Sequence, residues 1–151
     1  MEKDPPHAPI STDQFQPRYF RPHGRIESRV HGNLVVHEAI GPFNQEIIEA
    51  MAVVLRESLQ TLKQQGRWGQ VIVFRQSALT SPETLSALKA YTTQRSKDGL
   101  APVATAYVMD ASVEGFHLME APFRNVYSES TVQFDIFSTE ADAITWVKAQ
   151  L

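Results

Sequence analysis

Four polar side chains follow an apolar run and are the first residues here that could do chemistry. Ser77, Thr80, Ser81 and Glu83 come after the VIVF run of residues 71–74, in a loop that leads into a predicted helix. A hydroxyl in such a loop can accept a phosphoryl group, which adds negative charge and new hydrogen-bond acceptors. The same hydroxyls can cap the helix or bond loop amides. We favour local hydrogen bonding over a phosphorylation switch for this candidate switch loop.

The histidines give little support for a metal site. His31 and His37 flank a predicted hairpin turn, and the register expected there puts them on opposite faces. His117 and Glu120 are three residues apart in a predicted short helix, but no third ligand accompanies them. The chain has no cysteine, so thiolate ligands and disulfides are excluded. We expect no metal site and no cofactor.

Motifs of the common enzyme classes do not occur in the sequence. It contains no glycine-rich phosphate loop, no G-x-S-x-G elbow and no H-E-x-x-H pair. No nucleophile can be matched with a base from the order of the residues. We therefore expect that the protein is not an enzyme.

Composition and charge narrow the choice of partners. The 151 residues are 42% hydrophobic and 21% charged, with a formal net charge of -3, which is ordinary for a globular domain. The stretch from Arg18 to Arg29 is locally basic, but the acidic chain as a whole does not favour nucleic acid. No leader-like or membrane-spanning apolar segment is evident. We expect a soluble, cytoplasmic protein with no membrane insertion.

The chain divides near residue 25. Residues 1–24 contain five prolines and no regular periodicity, which indicates a tail. Phe15, Tyr19 and Phe20 lie close together in it, and such aromatic side chains gain from burial. We expect the segment around them to be docked and the rest of the tail to be mobile. Residues 25–151 then form one domain.

A hairpin is predicted at the start of this domain. The segments RIESRVH and LVVHEAI flank Gly32 and Asn33, and a glycine in the first turn position suits a type II′ turn. This register places Val30 opposite Val35 and Ser28 opposite His37. One face, which we expect to be core, contains Ile26, Val30, Val35 and Ala39.

The remaining segments alternate between helix and strand. Residues 44–65 form the clearest helix, with Asn44 as its N-cap. A strand at 71–74 precedes a helix with a Thr80–Glu83 capping box, and a strand at 102–109 precedes a short helix at 110–121 that ends before Pro122. An edge strand at 131–137 precedes a helix capped by Ser138 or Thr139. Trp68, between two glycines, is predicted to lie in an exposed loop.

This order of elements resembles a known family. The VIVF strand with its polar loop and helix, and the closing VQFDIFSTEADAITWV segment, are similar to the SpoIIAA-like branch of the STAS domains. The resemblance spans roughly residues 25–151 and rests on apolar positions with few fixed residues. It implies an α/β fold of the SpoIIAA-like type: a mixed, mostly parallel five-stranded sheet with an N-terminal β-hairpin and four helices.

The resemblance also implies that a regulatory feature is missing. Anti-sigma-factor antagonists of the STAS group have an Asp-Ser-Ser-Gly-Leu motif before the corresponding helix, and its serine is phosphorylated. With Leu85 at the leucine position, the phosphorylatable position falls on Pro82 or Glu83. Neither can accept a phosphoryl group, so the resemblance implies a module without this switch.

Two functions of different classes follow. The first, which we favour, is a non-enzymatic regulatory or protein-interaction module that binds a protein partner or itself. The second is a carrier or sensor of a small apolar ligand, since the fold resembles the lipid-carrying Sec14 type. Phe116, Met119 and Phe123 have the aromatic and thioether character of an adaptable pocket wall.

The second face of the hairpin is the predicted interaction face. It presents Leu34, Val36 and Ile40, which would face water if the helices stacked mainly on the other side of the sheet. We expect the tail aromatics to cover these residues at least in part. A second copy of the protein is the alternative.

Overall fold

The computed structural model describes residues 9–15 and 21–151. These ranges contain a six-stranded sheet: β1 (Ile10–Ser11), β2 (Arg25–His31), β3 (Leu34–Ile40), β4 (Gly69–Arg75), β5 (Ala104–Val108) and β6 (Gln133–Phe137). The spatial order of the strands is their order in the chain. The pairs β1–β2 and β2–β3 are antiparallel, and the pairs β3–β4, β4–β5 and β5–β6 are parallel.

In the same ranges, five α-helices connect or follow the strands: α1 (Gln45–Val54), α2 (Arg56–Gln65), α3 (Pro82–Lys97), α4 (Phe116–Tyr127) and α5 (Glu140–Gln150). The predicted α/β class and mixed, mostly parallel sheet are confirmed. The counts of five strands and four helices are corrected to six and five, because the tail contributes β1 and the first long helix is interrupted at Leu55. Leu55 is buried beside Leu59 and Trp68.

The hairpin has the predicted register. Val30 pairs with Val35 and Ser28 with His37. Gly32 has a φ of 64°, a left-handed conformation that costs glycine little because it has no Cβ. Since side chains alternate along a strand, this register decides which residues of β2 and β3 meet on each side of the sheet.

The sheet has a core on both of its sides. On the front face, side chains such as Ile26, Phe74 and Tyr107 pack against α1, α3 and α4. On the back face, Leu34 and Val71 belong to a second cluster under α5. Within the described residues, helices α1 to α4 lie on the front side and α5 lies on the back. Helices therefore stack mainly on one side, as expected, but α5 covers part of the opposite face.

Helix α4 departs most from the sequence-based expectation. The predicted helix at 110–121 was to end before Pro122, but residues 110–115 form a turn and α4 continues through Pro122 to Tyr127. Proline removes one backbone donor and costs about 3 kcal/mol inside a helix. Met119, Phe123, Val126 and Tyr127 are all buried from this helix, and their burial offsets that cost.

Two helix caps lie at predicted residues, Asn44 for α1 and Thr139 for α5, but only Thr139 makes a side-chain cap bond. The Asn44 side chain makes no cap bond to α1. Its Oδ1 accepts a hydrogen bond from the His23 amide at 2.7 Å, and its Nδ2 donates to the Arg21 carbonyl. Asn44 therefore ties the entry segment to the helix. For α5 the cap is Thr139, whose hydroxyl accepts from the Asp142 amide.

The described part of the tail joins the edge of the sheet. β1 pairs with β2, and the Thr12 hydroxyl accepts a hydrogen bond from the Ile26 amide at 3.0 Å. The 3-10 turn that follows β1, Thr12–Gln14, contacts α1. This segment lies at the sheet edge and not over the predicted interaction face. The two tail aromatics Tyr19 and Phe20 lie outside the described residues.

Candidate functional site

A chain of hydrogen-bonded polar side chains crosses the front face of the sheet. Ser28 of β2 donates to Nδ1 of His37 on β3 at 2.6 Å, and Nε2 of His37 donates to Oε1 of Gln70 on β4 at 3.1 Å. Gln70 Nε2 then donates to the hydroxyl of Thr105 on β5 at 3.0 Å. All four side chains are buried. Four neighbouring strands thus each contribute one residue to a row of hydrogen-bonded polar side chains, which lies inside an apolar core. We call this the polar row.

His37 in this row is neutral at physiological pH. It is only 3% exposed, and burial lowers its pKa from 6.5 to about 4, although the bond to Gln70 opposes the shift. The positive charge of Arg95 also lowers the pKa. Because the amide oxygen of Gln70 can only accept, the proton lies on Nε2, and Nδ1 is the acceptor for Ser28.

Arg95 of α3 is a buried charge beside this row. Its side chain is 7% exposed, and its Cζ lies 5.3 Å from the Trp68 ring centroid and 5.2 Å from that of Tyr91. Within residues 9–15 and 21–151, Arg95 Nε and Nη2 have no hydrogen-bond partner and the guanidinium forms no ion pair. Cation–π contacts contribute about 0.5–2 kcal/mol each, whereas an unpaired buried charge costs several kcal/mol. The cost of burying the positive charge of Arg95 is therefore only partly offset by these contacts.

Trp68 is a correction to the sequence analysis. It was predicted to lie in an exposed loop, but it is 3% exposed and packs with Leu55, Leu59 and Leu62. Its ring lies against the Arg95 guanidinium. The flanking glycines suggested a surface loop, yet Gly69 already belongs to β4, which places the indole directly against the sheet.

A cavity of about 60 Å³ lies between the front face of the sheet and helices α1 and α3. Its walls are mostly apolar and include Ile47, Met51 and Leu88. Polar residues that border it include His37, Gln70, Tyr91 and Arg95, together with three threonines and two further tyrosines. A few convergent polar groups in an apolar hollow are typical of a small-molecule site. A second hollow of about 10 Å³ adjoins Arg95, Gln70 and Thr105.

The Tyr91 hydroxyl is a second unsatisfied group at this cavity. Its oxygen is buried and has no hydrogen-bond partner in the described part of the chain. Burial raises the pKa of Tyr91, although the nearby Arg95 charge opposes the shift. The phenol is therefore protonated at neutral pH and can donate a hydrogen bond. Tyr91 also borders a groove on the outer side, between α1 and α3.

Of the three residues proposed as a ligand wall, only one borders the cavity. Phe123 does so, and its ring stacks on Phe74 with centroids 5.3 Å apart. Met119 is buried in the front core, while Phe116 is half-buried and contacts the exposed ring of His117. Phe116 and Met119 thus contribute to packing rather than to the cavity surface.

The candidate switch loop is held by hydrogen bonds of its own. The Ser77 hydroxyl donates to Glu114 at 2.9 Å and accepts from the Leu79 amide, and Thr80 donates to the Ala78 carbonyl. The N-cap of α3 is Ser81, with Pro82 as first helical residue, so the predicted Thr80–Glu83 capping box is corrected by one position. Ser81 accepts from the Thr84 amide at 3.2 Å. Glu83 is exposed in the first turn.

Replacing the capping hydroxyl gives a first prediction. Ser81→Ala should lower the free energy of unfolding by about 1 kcal/mol, because one amide at the start of α3 loses its acceptor. Chemical denaturation measures the change, and Ser86→Ala on an exposed turn of the same helix is the control. Stoichiometric phosphorylation of Ser81 in protein from its native cells, together with altered partner binding, would contradict this local role.

The predicted interaction face is partly covered by α5. Leu34 is buried in the back-face cluster, Val36 packs against that cluster, and Ile40 is half-buried. An open groove of about 490 Å³ lies over this region, with Leu34, Val36 and Ile144 as its apolar floor. Charged side chains form its rim: Glu27, Arg29, Glu38, Glu140 and Lys148.

Arg95, and the part of the polar row beyond the predicted Ser28–His37 pair, were not expected from the sequence. The sequence does contain a pattern that points to Arg95. Helical spacing places it on the side of α3 that faces the sheet, together with Thr84, Leu88 and Tyr91. A basic residue on an otherwise inward stripe is unusual. The row itself has no local signal, because Gln70 lies 33 residues from His37 and 35 from Thr105.

The described residues offer neither a clustered set of metal ligands nor a membrane-spanning helix. No group of three His, Asp or Glu side chains in residues 9–15 and 21–151 is close enough to hold a metal ion. His31 is exposed while His37 is buried, so the two do not meet. Among the helices of the described ranges, none has the length and hydropathy required to cross a bilayer.

Comparisons with known proteins bear on the fold alone. No family model matches the sequence, and no curated protein does. Among solved structures, the chain is similar to SLC26A9, with a TM-score of 0.51 and 11% identity. The likeness covers 80% of this chain and 20% of the SLC26A9 chain. The C-terminal cytoplasmic part of SLC26A9 is a STAS domain, so the likeness supports a STAS-like fold.

Proposed function

We propose that this protein is a non-enzymatic, cytoplasmic, STAS-like module that works by binding a protein. The observation that carries the proposal is the open groove over the back face of β2 and β3. Its floor is apolar and its rim is charged, which is the usual arrangement of a protein-binding surface. Similarity to a STAS domain supports the same class of function.

The absence of catalysis is part of this proposal. The closest approach to a catalytic pair in the described residues is Ser28 with His37, at 2.6 Å. Ser28 is buried between two strands and is not among the residues that border the cavity. A nucleophile must reach its substrate, and this hydroxyl has no such access. The pair therefore acts as a structural hydrogen bond.

A second copy of the chain is the partner that this groove fits best. The rim carries both signs of charge, with Glu27, Glu38 and Glu140 near Arg29 and Lys148. A two-fold interface places the same patch opposite itself, so each of the two bases of one copy can face an acid of the other. This self-complementarity favours a dimer through the back face.

Reversing the basic charges of the rim tests the dimer. The double variant Arg29→Glu, Lys148→Glu should convert a dimer to a monomer, since the rim then carries only acids. The control Arg56→Glu, Lys97→Glu makes the same change of net charge at exposed positions on α2 and α3. Sedimentation at matched concentrations gives the mass. A monomeric natural protein, or a rim variant that stays dimeric, would refute this assignment.

A second candidate function has its own support. The cavity between the sheet and helices α1 and α3 is mostly apolar, and Tyr91 and Arg95 are among the residues that border it. A carrier or sensor of a small apolar ligand would need such a space. This use is compatible with protein binding, because the cavity and the groove lie on opposite faces of the sheet.

A further inference from the structure

An apolar groove lies on the outer side of helices α1 and α3, and we call it the α1–α3 groove. Its volume is about 420 Å³. Its floor is made of short or apolar side chains: Ile48, Ala52, Ala87, Ala90 and Tyr91. On each helix these residues are three or four positions apart, so each helix presents one continuous stripe to the groove. Ala90 is exposed, so the floor is open to solvent.

The charge along the α1–α3 groove has one sign. Glu46 and Glu49 of α1 border it, and among the described residues no lysine or arginine does. Within residues 9–15 and 21–151, neither carboxylate belongs to an ion pair. The two are three residues apart on one helix, where like charges repel each other, and α1 contains no basic residue. A positive charge placed beside them would remove this repulsion.

The floor of the groove fits a helix better than an extended chain. Its side chains other than Tyr91 have no hydrogen-bonding group, and the Tyr91 hydroxyl is buried. An extended peptide would leave backbone N–H and C=O groups without partners on this floor, whereas a helix satisfies its own. The short alanine side chains allow a third helix to pack closely against α1 and α3. From Gln45 to Ala52 the groove follows about two turns of α1, or about 10 Å.

We propose that the α1–α3 groove binds a basic amphipathic helix of a partner protein, with its apolar face on the alanines and its lysine or arginine side chains beside Glu46 and Glu49. Recognition of a helix in a groove uses apolar residues at every third or fourth position. Nucleic acid and anionic membrane surfaces do not fit, because both would bring negative charge to the two carboxylates. This inference goes beyond the back-face dimer, since it concerns the other side of the sheet and a different partner.

Fluorescence anisotropy with matched peptides tests this inference. The probe is a labelled, capped peptide of about 14 residues, in which leucines at alternating three- and four-residue spacing form one helical face, lysines flank that face and alanines fill the remaining positions. Its counterpart has glutamate in place of every lysine. Titrated with the full chain, the lysine peptide should bind with a dissociation constant below about 1 mM, and at least about 10-fold more tightly than the glutamate peptide.

Variants of the wall and of the floor locate the site. Glu46→Gln, Glu49→Gln should weaken binding of the lysine peptide about 5- to 10-fold, because both acids that attract it are lost. The control Glu57→Gln, Glu129→Gln makes the same change of net charge at exposed positions that do not border the groove, and it should bind like the natural protein. Ala90→Gln adds a longer neutral side chain to the exposed floor and should weaken the binding of the lysine peptide by preventing close packing.

Several outcomes would overturn the inference. These are equal binding of the two peptides, no binding of the lysine peptide below about 1 mM, or lysine-peptide binding that Glu46→Gln, Glu49→Gln leaves unchanged. If that double variant alters the mass of the protein in sedimentation without peptide, the groove holds a second copy, and the proposed partner is wrong. None of these results decides the back-face dimer, which Arg29→Glu, Lys148→Glu tests separately.

Discussion

Replacing Phe123 with alanine should lower the free energy of unfolding by about 4 kcal/mol, within the usual range for a buried phenylalanine. The side chain is 1% exposed. Its ring stacks on Phe74 and meets Tyr107 edge-on, with centroids 5.1 Å apart in the second pair. The loss of stability has two parts. The hydrophobic free energy gained by burying the ring is lost, and a void remains that the neighbouring rings cannot fill.

Guanidinium or urea denaturation measures this loss. Leu118→Ala is the control on the same helix, because Leu118 is 68% exposed and should change stability by no more than about 0.5 kcal/mol. A loss below about 2 kcal/mol for Phe123→Ala would show that neighbouring side chains of the front core move in to fill the space left by the ring. That result would contradict the packing described for α4.

The second large effect is a dependence of stability on pH through His37. Its pKa is about 4 in the folded protein against 6.5 for the unfolded reference. Between these values the unfolded state binds more protons, so stability falls as the pH is lowered from 6.5 towards 4. A difference of 2.5 pKa units corresponds to about 3 kcal/mol, fully lost below pH 4.

Comparison of two histidine variants isolates this contribution from that of the carboxylates. His37→Gln should remove the slope between pH 6.5 and 4, because the amide does not titrate. His31→Gln should keep it, since His31 is exposed. Equilibrium denaturation at several pH values gives the slopes. If the natural protein and His37→Gln lose stability in parallel over this range, the assignment of His37 as a neutral buried residue is wrong.

Local patterns in the sequence predicted much of the fold. Alternating apolar residues around Gly32 predicted the hairpin register, and that register was confirmed to the residue pair. The VIVF run predicted β4, which in the structure begins two residues earlier and ends one residue later. Such features depend on side chains close together in the chain, so periodicity and turn chemistry are enough to find them.

Local rules failed where tertiary packing outweighed them. A proline normally ends a helix, but α4 continues through Pro122 because Phe123 and its neighbours are buried on the core. Glycines on both sides of Trp68 indicated a loop, but the indole is buried beside Arg95. In each case a distant part of the chain provides the surface that decides the local conformation.

The sequence by itself therefore determined the order of elements, the hairpin register and the α/β class. Only the tertiary structure decided which polar groups share the core. His37, Gln70 and Arg95 come from β3, β4 and α3 and meet at one cavity, and α5 closes over Leu34 from the end of the chain. The physical reason is that the burial of a polar residue depends on its partners. Apart from Ser28, which lies nine residues from His37, the hydrogen-bonded partners in the row are more than 30 residues apart in the chain.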